Sequence, residues 1–269
     1  MKPLVLTLRA RPEQRLDLSP LLPHRLAGRS AAEIAAIDLH TTRTRVTVGD
    51  AFRLRMGDAR HIRIEQACER LDQIGCGMTE GEIVVAGDVG LQAGRTMTGG
   101  RLTISGDAGP WAASGLRGGT VEIAGNAGDH VGGPLAGETV GMRGGIVVVR
   151  GNAGERAGDR MRRGTILIEG AAGRWAGCRM IAGTLVVGRK AGALPGYLMR
   201  RGTLILGQGA DELSPTFVDC GTHNLLALRL LAAFVNPHSP RLMSILRRSL
   251  RRLQGDMAVT GKGEIFMPS

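Results

Sequence analysis

The sequence predicts a mainly β protein: a parallel β-helix of 19-residue coils over residues 61–210, entered through a small α+β module (1–60) and closed by a helical cap and tail (211–269). Three observations carry this. Glycines 81, 100, 119, 145, 164, 183 and 202 recur every 19 residues, apart from one interval that holds a seven-residue insertion within "VGGPLAGETVGM". Each introduces a short β-rich run such as "TVEIAGNAG" or "TILIEGAAG", too short to bury a core alone, so stacked neighbours must supply the missing faces. Finally, 42 glycines against 3% aromatics call for tight corners around an aliphatic core.

In the entry module, "PLVLTLRA" reads as a strand and "SAAEIAAI" as a short helix. Ser30 and Glu33 have capping-box spacing. "TRVTVGDAFRLRMGD" alternates as a strand would, with Val46, Val48, Phe52 and Leu54 toward the core.

Within the repeat, the comb glycines are expected at corners that need positive φ or a close approach to the neighbouring coil. Asp88, Asp107, Asn126 and Asn152 form a column after a corner glycine, where each is expected in the left-handed region, bonding its own backbone. Met78, Met97, Leu116, Met142, Met161, Met180 and Met199 form a second column, expected as an internal ladder. A 19-residue period does not match the six-residue multiples of hexapeptide acyltransferases. Loss of charge at Asn126, Asn152 and Ala171 excludes calcium-binding nonapeptide repeats. The insertion is expected to protrude as an interface element.

Both ends of a solenoid expose apolar core and need covers. "HNLLALRLLAAFV" reads as a helix apolar around nearly its whole circumference, expected to be buried as the C-terminal cap. "SPRLMSILRRSLRRLQGD" reads as a second helix, with Leu242, Ile245, Leu246, Leu250 and Leu253 on one stripe and Arg247, Arg248, Arg251 and Arg252 largely opposite.

The net charge of +11 is almost wholly arginine, because lysine occurs only at Lys2, Lys190 and Lys262. Arginine favours bidentate contacts to carboxylate and phosphate. The scarcity of aromatics removes the stacking platforms of single-strand binders, so acidic protein partners or an acidic substrate tail fit better than nucleic acid. Cys68, Cys76, Cys178 and Cys220 show no metal-ligand spacing and read as reduced cytoplasmic thiols. The apolar run near the N-terminus is too short for a signal peptide, and Leu225 to Val235 is too short to span a bilayer. None of the glycine-rich segments is followed by the helix that a phosphate loop needs.

No catalytic or metal constellation stands out: the six histidines are scattered, without H-x-H or H-E-x-x-H. Cys220 and His223 are the one close pair that can be read as nucleophile and base, against the plainer reading of a turn before a helix.

The cadence "GDAG", "GNAG" with "GGT" or "GT" before a short strand resembles the glycine-rich β-helix that ends the large subunit of glutamate synthase. Nearly the whole chain, including "SAAEIAAI", "VGDAFRLR" and the tail, is more similar to the C subunit of the formylmethanofuran dehydrogenase family. This resemblance implies a right-handed β-helix that is non-catalytic and sits in a cytoplasmic multisubunit complex. Partners would include an amidohydrolase-like hydrolase, which holds the metal, and a formyltransferase.

One version of such a complex moves a formyl group from a tetrahydromethanopterin carrier to a methanofuran-type carrier and hydrolyses it to formate. The other is a molybdenum or tungsten dehydrogenase. Arginine in place of lysine, with abundant alanine and glycine, points to a GC-rich bacterial genome and so to the first version. The dehydrogenase, or an autonomous enzyme at the cap, is the alternative. No cofactor is expected on this chain itself, except that Arg247, Arg248, Arg251 and Arg252 could meet an acidic carrier tail or an acidic partner subunit.

Overall fold

The computed structural model describes residues 2–41 and 43–269. Its elements are β1 (Pro3–Leu8), β2 (Leu16–Asp17), α1 (Pro23–Leu26), α2 (Ala31–Ala35), α3 (Val48–Ala51), β3 (Phe52–Arg55), β4 (Asp58–Ala67) and β5 (Leu71–Asp72). The repeat supplies β6 (Glu82–Gly87), β7 (Arg101–Ile104), β8 (Thr120–Ile123), β9 (Arg143–Val149), β10 (Arg163–Ile168), β11 (Thr184–Val187) and β12 (Arg201–Leu206). The C-terminal part adds β13 (Val218–His223), α4 (Leu226–Val235), α5 (Pro240–Leu246), β14 (Leu250–Gly255) and β15 (Lys262–Met267).

The chain is mainly β, with few helices and one large, mostly parallel sheet ordered β13-β14-β15-β12-β11-β10-β9-β8-β7-β6-β4-β1-β3. From β6 to β12 each strand pairs in parallel with the equivalent strand of the next repeat, as in Ile104↔Ile123, Ile123↔Val149 and Val149↔Ile168. The seven-residue insertion therefore leaves the register untouched. A second line of parallel bridges runs Val89, Ala108, Ala127, Ala153, Ala172, Ala191, Ala210 with the same spacing. Alternate residues of each strand point into one aliphatic core, and every member of the methionine column is fully buried there.

The comb glycines take positive φ, as expected. At Gly164 (φ +95°) a Cβ would also meet the Met142 methyl at 2.7 Å and the Gly145 carbonyl at 2.8 Å, so space and backbone geometry both demand glycine.

The Asp/Asn column works differently from the expectation. These side chains bond the next repeat rather than their own backbone: Asp88 Oδ1 accepts from Asp107 N (2.8 Å), Asp107 Oδ1 from Asn126 N (2.6 Å), Asn126 Oδ1 from Asn152 N (2.9 Å) and Asn152 Oδ1 from Ala171 N (2.8 Å). None has a positive φ. The side-chain oxygen fills the space where the next repeat's glycine would carry a Cβ, which explains the first glycine of "GDAG" and "GNAG".

Three further expectations change. In "TVGDAFRLR" only Phe52–Arg55 is strand. Thr47 and Asp50 form a capping box, so the preceding residues turn into α3, with Val48 and Phe52 still buried. The insertion does not stand free: Arg95 Nη2 donates to Glu138 Oε1 (2.7 Å) and Arg160 Nη1 to the Glu138 carbonyl (3.0 Å), strapping it to neighbouring repeats.

The C-terminal helices are not stacked beyond the last strand either. β15 extends the sheet in parallel from β12, and β14 and β13 follow antiparallel. α4 and α5 instead lie against the outer face of β9 to β12, where Val148, Leu167, Val186 and Ile205 are buried with Leu228, Ala232, Val235, Leu242 and Leu246. Over β6 to β8 the same outer positions hold Val84, Thr103 and Glu122, only half-buried.

Candidate functional site

The four candidate arginines do not share a helix face. The helix ends at Leu246 and the chain re-enters the sheet at Leu250, where Leu250 and Leu253 are buried by strand alternation and not by a helical stripe. Arg251 Nε donates to Asp219 Oδ2 (2.9 Å), and Arg252 donates through Nε (2.9 Å) and Nη2 (2.6 Å) to Glu264 Oε1. Arg247 and Arg248 lie in the exposed turn between α5 and β14, with no ion pair among the described residues.

Cys220 and His223 do not form a nucleophile and base pair. The His223 ring lies 2.7 Å from the Cys220 carbonyl, while the Cys220 thiol donates to the Val218 carbonyl at 3.6 Å. Both residues belong to β13, which pairs with β14.

The structure assembles a different cluster along one corner of the repeats. Asp159, buried, accepts from Arg179 Nε (3.0 Å) and Nη2 (2.5 Å) and from the Cys178 thiol (3.3 Å). Burial, reinforced by the Asp159 charge, pushes the Cys178 thiol up to about 12, so it stays protonated at neutral pH and is no nucleophile.

A nearby column holds Trp111 stacked on His130 (ring centroids 5.4 Å apart) and Trp175, over whose ring lie the guanidinium groups of Arg156 (4.7 Å) and Arg174 (4.5 Å). Burial holds the His130 imidazole below its ordinary pKa. A hollow of about 470 Å³ between the insertion and the C-terminal segment is lined by Thr139, Val140, Arg160, Arg179, Arg200 and Val259 among others. Its lining mixes apolar side chains with three guanidinium groups, of which Arg179 is already paired with Asp159 and Arg160 bonds the Glu138 carbonyl. The signal that would have found this cluster is the 19-residue spacing of Asp159 to Cys178 and of Arg160 to Arg179.

No family model matches the sequence. The C subunit of the formyltransferase/hydrolase complex Fhc of Methylorubrum extorquens is 52% identical over 265 residues, covering 98% of this chain and 99% of that one. This chain belongs to the family of Fhc C subunits.

A solved structure agrees: the X-ray structure of the Methylorubrum extorquens FhcABCD formyltransferase/hydrolase complex with methylofuran contains a chain that superposes with a TM-score of 0.93. The two are 44% identical in that superposition, which covers 98% of this chain and 99% of the other. The C subunit of the tungsten-containing formylmethanofuran dehydrogenase 2 of Methanococcus maripaludis is 33% identical over 93 residues, 34% of each chain. This chain is thus similar to a dehydrogenase C subunit over about a third of its length. Among the described residues there is no helix long and apolar enough to cross a membrane and no His, Cys, Asp and Glu cluster of metal-binding type.

Proposed function

We propose that this chain is the C subunit of a formyltransferase/hydrolase complex and acts there as a rigid, non-catalytic scaffold. The observation that carries the reading is the end-to-end correspondence with a chain of the FhcABCD structure. On this reading a formyl group passes from a tetrahydromethanopterin carrier to a methanofuran-type carrier and is then released as formate by water. Those steps belong to the formyltransferase and the amidohydrolase-like, metal-bearing sister subunits, in the cytoplasm.

The scaffold itself is read as a right-handed parallel β-helix over residues 61–210, flanked by the entry module (1–60) and the C-terminal segment (211–269). Two lines of parallel pairing at one repeat spacing support a chain that returns to its own previous turn twice per repeat. The C-terminal arginines then divide by role. Arg251 and Arg252 brace β13, β14 and β15, while Arg247 and Arg248 are left to meet an acidic partner subunit or carrier tail.

Purification of the tagged chain from its native cells at moderate salt, with mass spectrometry and metal analysis, tests this reading. Formyltransferase and hydrolase subunits should accompany it without molybdenum or tungsten. Molybdenum or tungsten with iron-sulfur partners would assign it to the dehydrogenase instead, and a chain that emerges alone would refute the scaffold role.

A further inference from the structure

α4 is built with two apolar faces. Leu228, Ala232 and Val235 are buried against the sheet, whereas Leu226 (68% exposed), Leu230 (64%) and Phe234 (46%) form a stripe on the opposite side at i, i+4, i+8 spacing. Ala227 and Ala233, both exposed, flank that stripe and keep it continuous. A solvated helix face carries charged or polar residues at such positions, and a row of large apolar side chains there marks a contact surface.

The charge around the stripe narrows the occupant. From Cys220 to Gly255 the sequence contains no aspartate or glutamate but six arginines. Two of these are matched by Asp219 and Glu264. Arg229 on α4, Arg241 on α5, and Arg247 and Arg248 just beyond it are exposed, with no ion pair among the described residues. A second copy of this chain would bring like charges together, which is unfavourable. The helix is also only ten residues long and has no tryptophan or tyrosine at its border, unlike helices that lie in a membrane interface.

We propose that the outer face of the α4–α5 hairpin, centred on Leu226, Leu230 and Phe234, docks a protein partner that presents an apolar strip rimmed by carboxylates. This rests on the reading of the chain as a component of a complex and assigns one of its surfaces to a sister subunit.

The test is co-expression of the full-length tagged chain with the sister subunits of its own complex, comparing wild type, Leu226→Glu/Leu230→Glu and Arg229→Glu/Arg247→Glu/Arg248→Glu. The altered side chains are exposed, so the circular dichroism spectrum and melting temperature of each variant should match wild type. The proposal expects recovery of at least one sister subunit to fall by about tenfold or more in both variants. It also expects the amides of α4 to exchange more slowly in the wild-type complex than in the free chain.

Full assembly of Leu226→Glu/Leu230→Glu with unchanged α4 exchange overturns the docking surface and leaves the scaffold reading intact. Absence of any sister subunit from the wild-type preparation overturns the scaffold reading, and the docking surface with it. A free chain that dimerises through Leu226 and Leu230 by light scattering, or that sediments with vesicles of phosphatidylcholine and phosphatidylglycerol only when these leucines are present, assigns the stripe to another occupant and overturns the proposal.

Discussion

Gly151→Ala separates the two reasons for which a repeat needs glycine. Gly151 lacks a positive φ, so alanine is conformationally permitted there; the obstacle is space. A Cβ would lie 2.6 Å from Asn126 Oδ1, 2.6 Å from the Gly125 carbonyl oxygen and 2.8 Å from its carbon. Both oxygens are already engaged, the first accepting from Asn152 N (2.9 Å) and the second from Gly151 N itself (2.9 Å).

Relief requires the repeats to separate locally, which overpacking data place at about 1–3 kcal/mol. Each weakened hydrogen bond adds about 1 kcal/mol, less where water can replace it. The expected loss is therefore about 2–4 kcal/mol, and at roughly 2–4 °C per kcal/mol the melting temperature should fall by about 4–16 °C.

Gly77→Ala is the control: its φ is +73° with nothing within 4 Å, so only the left-handed backbone penalty of about 1–2 kcal/mol applies. Asn126→Ala combined with Gly151→Ala removes one of the two obstructions, so the double variant should lose less than the sum by about 0.5–2 kcal/mol. Guanidinium unfolding followed by circular dichroism measures wild type, the three single variants and the double variant. A Gly151→Ala protein within about 0.5 kcal/mol of wild type, or strict additivity with Asn126→Ala, would refute the steric account.

Other consequences follow from buried and titrating groups. The Ser114 hydroxyl is fully buried without a hydrogen-bond partner among the described residues, so Ser114→Ala should leave thermal stability unchanged or raise it by up to about 1 kcal/mol. A maleimide at pH 7.5 should label the half-buried Cys68, Cys76 and Cys220 well before Cys178, whose protonated thiol reacts only on unfolding, as peptide mapping of the labelled chain would show.

The Asp219 carboxyl is held below the usual range by the Gly221 N–H and then by Arg251. Its stabilising contribution is thus complete above the unfolded-state pKa and disappears as pH falls through the lower folded value. Asp219→Asn should flatten the dependence of stability on pH below about 4, measured by denaturant titration.

The repeat, its period and its aliphatic core were legible in the sequence because they depend on local rules. Positive-φ glycine, strand propensity and recurrence at a fixed spacing are visible residue by residue, and the comb glycines, the methionine column and the Ser30/Glu33 box took the expected geometry. Where two local rules competed, the sequence left the outcome to geometry. Thr47 and Asp50 turned an alternating segment into a helix, and Arg251 and Arg252 passed from the expected helix to a strand because β15 offers a pairing edge some ten residues further on.

Contacts between distant residues lay beyond local reading. Nothing within "GDAG" reveals that its carboxylate reaches the backbone of the following repeat. Strand apolarity offered one unused clue: "RLTI" and "TVEI" alternate, while "IVVV", "TILI" and "TLIL" are apolar on both faces. That is the mark of a sheet covered from outside, and α4 and α5 are the cover. By itself the sequence determined that short glycine-bounded strands stack on one another, since no single repeat can bury its own core. Only the tertiary structure decided which side the helices cover, which arginines find carboxylates, and that α4 presents an apolar stripe outward, because each depends on residues brought together from far apart in the chain.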